Sequence, residues 1–202
     1  MKAPALLTIG HSNHPLAEFL RLLSEHRVSL IADVRSSPYS KYLPHFSKDA
    51  LEGALRDAEI DYLFLGRELG ARRAEEICYV DGQARYDRIA KLPLFRRGLD
   101  NIFEGIEHRN VALMCSEADP LECHRTILVC RELRKLRPEL AITHILSDGA
   151  EEPHETSEER LVQLHDLQFE LFGDLTSAAA LVEKAYDLQS EAIAYTKSQV
   201  DE

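Results

Sequence analysis

The sequence has little of several features that would assign a chain to a specialised class of protein. It contains no tryptophan and only four cysteines, at positions 78, 115, 123 and 130. Four unevenly spaced cysteines do not form the disulfide framework of a small secreted domain, so reduced thiols are expected. No apolar run approaches the roughly 20 residues that a membrane helix needs. Residues 1–4 lead into a strand-like run without the apolar core of a signal peptide, so we expect a cytoplasmic protein without a membrane partner.

An excess of positive charge is also lacking, since the formal net charge is −11. Residues 151–202 carry 13 acidic and 3 basic side chains, whereas residues 1–150 carry 22 acidic and 21 basic ones. The body of the chain is therefore nearly neutral, and the acidity belongs to its last quarter. This distribution disfavours binding of a long duplex through a broad basic face. A nucleotide or a short nucleic-acid segment stays compatible with it.

What the sequence does contain is an alternation of strand-like and helix-like segments. Five apolar segments have the length and composition of buried strands, and amphipathic segments with helical spacing separate them. The strand-like segments are residues 5–10, 30–34, 60–65, 111–114 and 141–146. Such an alternation predicts a three-layer, Rossmann-like α/β fold with a mostly parallel sheet of about five strands and helices on both faces.

The last part of the chain follows a different pattern. We predict an α/β domain over residues 1–154 and an acidic helical extension over residues 155–202. The extension contains an apolar stripe with alternating spacings of three and four, formed by Ala178, Leu181, Ala185, Leu188, Ala192 and Tyr195. Packing of this stripe on its own domain is expected, and pairing with a second subunit as a homodimer is the alternative.

Polar and reactive residues follow the predicted strands at their carboxyl ends. In open parallel sheets, ligands bind beyond this edge. The residues there that we expect to contact a substrate are His11, Ser12, Asp33, Arg35, Arg67 and Asp148. Their convergence predicts one cleft, with a small anionic substrate, a nucleotide or a short nucleic-acid segment as the partner.

The segment from Cys115 to Arg125 has the highest density of chemically useful side chains. Asp119 has the character of a helix N-cap, with Pro120 at the first helical position. This assignment places Cys123, His124 and Arg125 near the positive end of a helix. Such a position lowers the pKa of a thiol and suits the binding of an anion.

Three interpretations of this segment stay open. In the first, Arg125 and the helix start bind an anion, and the remaining groups react: Glu117, Asp119 or His124 as acid or base, and Cys115 or Cys123 as nucleophile. In the second, Cys115, Cys123 and His124 bind zinc, but the C-x7-C-H spacing lacks the usual closely paired cysteines. In the third, neither cysteine has a chemical task. From the spacing we expect no stoichiometric metal and no cofactor.

Several of these motifs together resemble the family catalogued as domain of unknown function 488. The resemblance spans about residues 6–154 and leaves the acidic extension uncovered. Its motifs are TIGHS at 8–12, IADVRSSPYS at 31–40, PHF at 44–46, LGRELG at 65–70, LMCSEADPLECHR at 113–125 and HILSDG at 144–149. The resemblance implies an α/β domain with the features of an enzyme, and it implies no particular substrate.

The leading functional hypothesis is an enzyme acting on a nucleotide, a nucleic-acid base or another phosphate-bearing substrate. A non-catalytic module that binds such a ligand is the alternative. A cysteine-based metal or redox enzyme is the third hypothesis.

Overall fold

The computed structural model of the chain describes residues 5–167 and 177–197. Residues 1–4, from which a cytoplasmic location was expected, lie outside the described residues, as do parts of the predicted acidic extension. The strands that the structure describes are β1 (Ala5–Gly10), β2 (Leu30–Asp33), β3 (Asp61–Phe64), β4 (Tyr79–Val80), β5 (Gln83–Ala84), β6 (Val111–Cys115), β7 (Ala141–Ile145) and β8 (Glu151–Pro153). The α-helices are α1 (Leu16–Glu25), α2 (Lys48–Asp57), α3 (Gly66–Leu69), α4 (Tyr86–Ile89), α5 (Pro93–His108), α6 (Arg131–Leu136), α7 (His154–Leu164) and α8 (Ala178–Ile193).

Six strands form one sheet, in the order β3-β2-β6-β1-β7-β8. The pairings among β1, β2, β3, β6 and β7 are parallel, and β8 runs antiparallel to β7. The prediction of a mostly parallel sheet in an α/β fold is therefore confirmed. Sequence reasoning missed β8 and the hairpin of β4 and β5, which have only two or three residues per strand.

The sheet separates two apolar clusters, and the alternation of side chains along β6 shows the division. Ala112 and Met114 belong to the cluster under α1 and α2, together with Phe19 and Leu51. Leu113 and Cys115 belong to the cluster on the opposite face, under α5 and the segment that precedes α6. Since successive side chains of a strand point to opposite faces, this register directs Cys115 toward the face that carries residues 123–136.

The helix after β6 begins later than the sequence indicated. Asp119 does act as a cap, since its Oδ1 accepts a hydrogen bond from the Leu121 amide at 2.9 Å, but it caps only the 3-10 turn Pro120–Glu122. Cys123 is extended (φ −131°, ψ 136°) and interrupts the helical path. Helical geometry starts at His124, and residues 125–130 are π-helical before α6. The prediction of a helix starting at Asp119 is therefore wrong.

Helix α8 packs against its own domain. Ser177 caps it by accepting a hydrogen bond from the Ala180 amide, and the side chains of Leu181, Ala185 and Tyr186 are buried. Leu188, from the same apolar stripe, is 38% exposed. Pairing of α8 with a second subunit stays a prediction. In the part of the chain that the structure describes, no helix is long and apolar enough to cross a membrane.

A buried chain of hydrogen bonds connects β1, β7, α7 and α8. Thr8 Oγ1 lies 2.8 Å from His144 Nδ1, and His144 Nε2 lies 2.9 Å from His154 Nδ1. His154 Nε2 is 3.0 Å from the Tyr186 hydroxyl, which also donates to Glu158 Oε1 at 3.2 Å. We call these five residues the histidine network. It ties α8 to the centre of the sheet.

Candidate active site

A cavity of about 370 Å³ opens at the carboxyl edge of the sheet. Parallel register brings the ends of the central strands together there, since Gly10 pairs with Cys115 and Asp33 with Met114. The residues of its lining that carry the chemical argument below are Arg35, Arg72, Tyr86, Cys115, Glu117 and His124. A cavity lined by reactive groups therefore lies at the edge of the sheet where the strand ends predicted a cleft.

Cys115 and His124 contact each other at the floor of this cavity. The Cys115 Sγ atom lies 3.7 Å from His124 Nδ1, and His124 Nε2 lies 2.9 Å from the backbone carbonyl of Val34. Because a carbonyl oxygen only accepts hydrogen bonds, Nε2 must carry a proton. In the neutral imidazole, the lone pair of Nδ1 is therefore directed at the thiol. This arrangement suits proton exchange with sulfur or coordination of a cation.

Cys123 lies behind the lining and contacts Glu117, which belongs to it. The Cys123 Sγ atom lies 3.0 Å from Glu117 Oε2 and also accepts the Arg125 amide at 3.4 Å. The carbonyl of Cys123 accepts the amides of Thr126 and Ile127, both at 3.1 Å. Cys123 therefore occupies the N-terminal end of the helical segment, where partial positive charge favours a thiolate.

These four side chains are electrostatically linked. Burial raises the pKa of the Cys115 thiol well above its ordinary range. Burial alone would also raise the pKa of Cys123, but the hydrogen bond with Cys115 and the charge of Arg125 lower that pKa well below its ordinary value. Desolvation of the Glu117 carboxylate among its neighbours in the cavity raises its pKa, although part of the side chain is exposed, and interactions with Cys123 raise the pKa of His124 despite its burial. Negative charge therefore concentrates on Cys123.

The four groups lie close enough to act on one atom. One potential ligand atom from each of Cys115, Glu117, Cys123 and His124 lies within 4.8 Å of all the others. We call these four residues the thiol cluster. The sequence predicted that its members are near each other, but the spacing analysis did not include Glu117 as a ligand.

Arg35, a residue of the lining, is held in place by a network of hydrogen bonds. Its guanidinium contacts the buried carboxylate of Asp33, with NH2 to Oδ2 at 2.6 Å and Nε to Oδ1 at 2.9 Å. Its NH1 donates to the Phe46 carbonyl at 2.8 Å and lies 3.3 Å from His11 Nε2. The Tyr62 hydroxyl donates to Asp33 at 2.7 Å. Asp33 thus neutralises and orients Arg35.

His11 supports this network as a neutral ring. It stacks on Phe46 with ring centroids 4.2 Å apart, and its Nδ1 lies 2.9 Å from the Ser12 carbonyl. Burial, with a further contribution from Arg35, lowers the pKa of His11 to about 4. His11 therefore orients Arg35 and is separated from the cavity by it.

Arg72 is the second arginine of the lining, and its environment differs from that of Arg35. It is exposed, and its guanidinium lies over the ring of Tyr195, 4.7 Å from the centroid. Within residues 5–167 and 177–197, no carboxylate forms a salt bridge with Arg72. Arg72 therefore supplies positive charge that the described protein groups do not neutralise.

Arg125 does not line the cavity, in contrast to the role expected for it. It is fully buried, and its NH1 and NH2 donate to the backbone carbonyls of Glu117 and Ala118 at 2.6 and 3.2 Å. Its Nε approaches Thr8 Oγ1 at 3.4 Å. Because its donors are satisfied by the protein, Arg125 supports the loop that carries Glu117, and the geometry gives no support to its contact with a substrate.

His11, Asp33 and Cys123 also lie outside the lining, as do four further predicted residues. The second carboxylate oxygen of Asp119 accepts a hydrogen bond from Arg160 at 2.8 Å. Ser12 hydrogen-bonds to Asn13. Asp148 closes the turn between β7 and β8 by accepting the Ala150 amide. Arg67, in α3, is exposed elsewhere on the surface.

The sequence analysis missed several residues of the wall. Tyr39, Arg72 and Tyr86 come from irregular or short segments, and Ile193 and Tyr195 come from the end of α8 and the residues after it. The C-terminal residues reach the cavity because the Tyr195 carbonyl accepts the amide of Ala84 at 2.8 Å. The pair of arginines at 72 and 73 was a visible signal, but arginine-rich loops are usually only solvated.

Comparison with known proteins identifies one related family. The family model described as "Domain of unknown function DUF488" matches residues 15–131, which is more than half of the 202-residue chain. The match includes the whole thiol cluster, Arg35 and Arg72. Two motifs of the resemblance, at 8–12 and 144–149, lie outside it. No curated protein and no solved structure matches the chain.

Proposed function

The chain belongs to the family described as domain of unknown function DUF488, and because that description names no reaction, we propose a function from the site itself. We propose an enzyme that acts on a nucleotide, a nucleic-acid base or another phosphate-bearing substrate. The substrate binds in the cavity, with its anionic group at Arg72 and its reacting atom above the thiol cluster.

The charge of the cavity supports an anionic substrate. Arg72 has an unneutralised guanidinium, which can bind a phosphate through two parallel hydrogen bonds. Arg35 lies at the same wall but shares its charge with Asp33. The guanidinium of Arg72 would therefore provide the main electrostatic attraction for the anion.

The shape and the aromatic residues of the cavity support a nucleotide or a base. Its volume of about 370 Å³ lies within the range of small-molecule sites. Tyr39, which is 71% exposed, and Tyr86 and Tyr195 belong to its lining. Tyr86 is buried and Arg72 lies over the ring of Tyr195, so the accessible aromatic face is that of Tyr39. Such a face can stack on a base without requiring a particular base.

The observation that carries the proposal is that Arg72 and three reactive groups share one cavity. Cys115, Glu117 and His124 all belong to the lining. They offer a nucleophile or ligand, a carboxylate and an imidazole, which are the groups that hydrolysis and group transfer require. A binding site alone would need only the arginine and the tyrosines. The buried thiols therefore favour an enzyme over a non-catalytic module.

Binding of a panel of nucleotides, bases and inorganic phosphate tests the substrate class. We expect at least one phosphate-bearing ligand to bind, and Arg72→Gln to weaken that binding about 10- to 100-fold, the scale of a lost charge-assisted hydrogen bond. Arg67→Gln is the matched control, because Arg67 is an exposed arginine outside the lining. Equal binding by the wild type and Arg72→Gln, or no anion binding at all, would overturn the proposal.

A second variant separates an enzyme from a binding module. Glu117→Gln should keep the affinity of the ligand within about 3-fold and abolish its conversion, because the amide retains the shape of the side chain and loses its basicity. Conversion at the wild-type rate by Glu117→Gln would contradict the role of this carboxylate. Binding without conversion by the wild-type protein would favour the non-catalytic module.

A further inference from the structure

We propose that the thiol cluster is a zinc site, in which Cys115, Cys123 and His124 bind the ion and Glu117 supplies the fourth ligand. The proposal replaces the expectation of no metal, which considered the spacing of cysteines and histidine alone. The fold adds the missing donor, because the 3-10 turn Pro120–Glu122 returns the chain to the end of β6 and brings Cys123 to Glu117.

The distances in the cluster fit a tetrahedral ion. Zinc lies about 2.3 Å from sulfur and about 2.0–2.1 Å from nitrogen or oxygen, so neighbouring ligand atoms of a tetrahedron are roughly 3.3–3.8 Å apart. The contact of Cys115 Sγ with His124 Nδ1 is 3.7 Å, and that of Cys123 Sγ with Glu117 Oε2 is 3.0 Å. No pair of the four atoms is more than 4.8 Å apart. Closing around an ion thus requires shifts of about 1 Å or less.

The surroundings orient two of the ligands as a metal requires. His124 donates its Nε2 proton to the Val34 carbonyl, which leaves Nδ1 free to coordinate. Histidine ligands in proteins almost always have such an outer partner. The Arg125 amide donates to Cys123 Sγ, and this bond would stabilise the sulfur as a thiolate ligand. Both partners are backbone groups, so the arrangement depends on the fold and not on mobile side chains.

The donor set is also selective. Two thiolates and an imidazole suit zinc better than magnesium or calcium, which prefer oxygen ligands. Cys115 and Cys123 are 3% and 1% exposed, so an ion bound to them would be protected from bulk solvent on the protein side. This donor set is typical of zinc sites in proteins.

The location of the ion would connect it with the cavity. Cys115, Glu117 and His124 belong to the lining, whereas Cys123 lies behind them. Glu117 is the exposed member of the cluster and so is the ligand that a substrate oxygen or a water could displace. This step rests on the proposed function. The ion would polarise a substrate oxygen in that position; a water there would instead lose its proton to the released carboxylate and become a hydroxide.

Metal analysis and titration of the purified protein test the site without any substrate. The full chain, purified without chelator and under a reductant that contains no thiol, should contain about one zinc per chain by elemental analysis. After removal of the metal, titration with Co²⁺ should give the visible absorption of a tetrahedral ion and thiolate charge-transfer bands. Cys115→Ser and Cys123→Ser should each weaken zinc binding more than about 100-fold, beyond the effect typical of an outer partner.

Matched controls use cysteines outside the cluster. Cys78→Ala and Cys130→Ala also alter fully buried cysteines and should keep about one zinc per chain, as should Arg72→Gln. Because Arg72→Gln should weaken substrate binding but keep the zinc, it distinguishes a failure of the zinc site from a failure of the proposed function. The proposal is overturned if the metal-free wild type binds neither ion at micromolar concentration, or if the double Cys115→Ser, Cys123→Ser variant still binds zinc. If a cysteine variant does not fold, the cobalt spectrum of the wild type decides, and a spectrum without thiolate bands overturns the proposal.

Discussion

The histidine network and the thiol cluster are both buried polar groups on the same side of the sheet, but they differ in how their atoms are satisfied. In the histidine network, all four ring nitrogens of His144 and His154 have a partner at 2.8–3.0 Å. The thiol cluster has short internal contacts as well, but three of its members also face a cavity. The comparison indicates that the closed network stabilises the fold, whereas the open cluster is arranged for a ligand.

The charge states of the histidine network and the thiol cluster support the same distinction between them. Burial and the neighbouring cations lower the pKa values of His144 and His154, so both rings are neutral. In the thiol cluster, the pKa values of Cys123 and Cys115 move apart instead, and negative charge accumulates on one sulfur. Titratable groups with opposing shifts are typical of functional sites.

The largest expected effect comes from Arg125, which contacts both regions through Thr8 Oγ1 and the Glu117 carbonyl. Arg125→Met should lower the free energy of unfolding by about 3–5 kcal/mol, because two partly buried carbonyls and the buried Thr8 hydroxyl lose their donor. Urea denaturation measures the change, with Arg67→Gln as the exposed control. A loss below about 1 kcal/mol would show that water replaces the guanidinium and that the two regions are independent.

A change within the histidine network should affect stability and leave the thiol cluster intact. His154→Leu removes the link between His144 and Tyr186. We expect a loss of about 2–4 kcal/mol, since the buried Nε2 of His144 loses its partner and the Tyr186 hydroxyl keeps only its bond to Glu158. The same variant should bind zinc as the wild type does. Loss of zinc binding by a protein that remains folded would refute the separation of the two regions.

Acid should destabilise the histidine network before it affects the thiol cluster. The pKa of His154 in the folded protein is about 4, below its ordinary value of 6.5. The unfolded chain therefore binds more protons between pH 6.5 and 4, so stability is fully present above pH 6.5 and decreases as the pH falls. The slope should be up to about 1.4 kcal/mol per pH unit for each such histidine, and His11 adds to it.

Chemical denaturation at a series of pH values measures this slope. The control is His154→Leu, which should show a smaller pH dependence over the same interval. An equal slope in the wild type and the variant would assign the acid sensitivity to His11, His144 or other groups and would remove His154 from the explanation.

The smallest expected effect on stability concerns Glu117, the exposed member of the thiol cluster. Glu117→Gln should change the free energy of unfolding by less than about 0.5 kcal/mol, because the amide NH2 group can donate to the Cys123 sulfur and the side chain is accessible to water. Thermal denaturation of the metal-free protein checks this. A large loss would mean that Glu117 is a structural residue, and the contrast between the two regions would then disappear.

The sequence predicted the sheet well because its signals are local. The apolar segments that became β1, β2, β3, β6 and β7 are each bounded by polar residues, whereas β8 has three residues and no such signal. The predicted start of the helix was wrong because a side chain such as Asp119 caps a 3-10 turn and an α-helix in the same way, by accepting a hydrogen bond from a backbone amide. Only the extended backbone of Cys123 distinguishes them.

The candidate site was predicted in part for a similar reason. Cys115 ends β6, and Glu117 and His124 lie in the segment that follows it, so the general position of ligand sites in parallel sheets identified them. Arg72 and Tyr195 reach the cavity through contacts between segments far apart in sequence, which local patterns do not contain. The role of Arg125 depends on burial, and nothing in the sequence around it distinguishes a buried arginine from one that faces a ligand.

The order of the strands has a consequence for how the protein is made. β1 lies in the middle of the sheet between β6 and β7, and its partners follow it by more than 100 residues, as in the pair of Leu6 with Val111. On the ribosome, β2 and β3 can pair early, but β1 has to wait without a partner until β6, about 100 residues later, has been synthesised. Such distant pairing slows folding. The cavity, whose floor includes the end of β6, therefore forms only after these distant strands have paired.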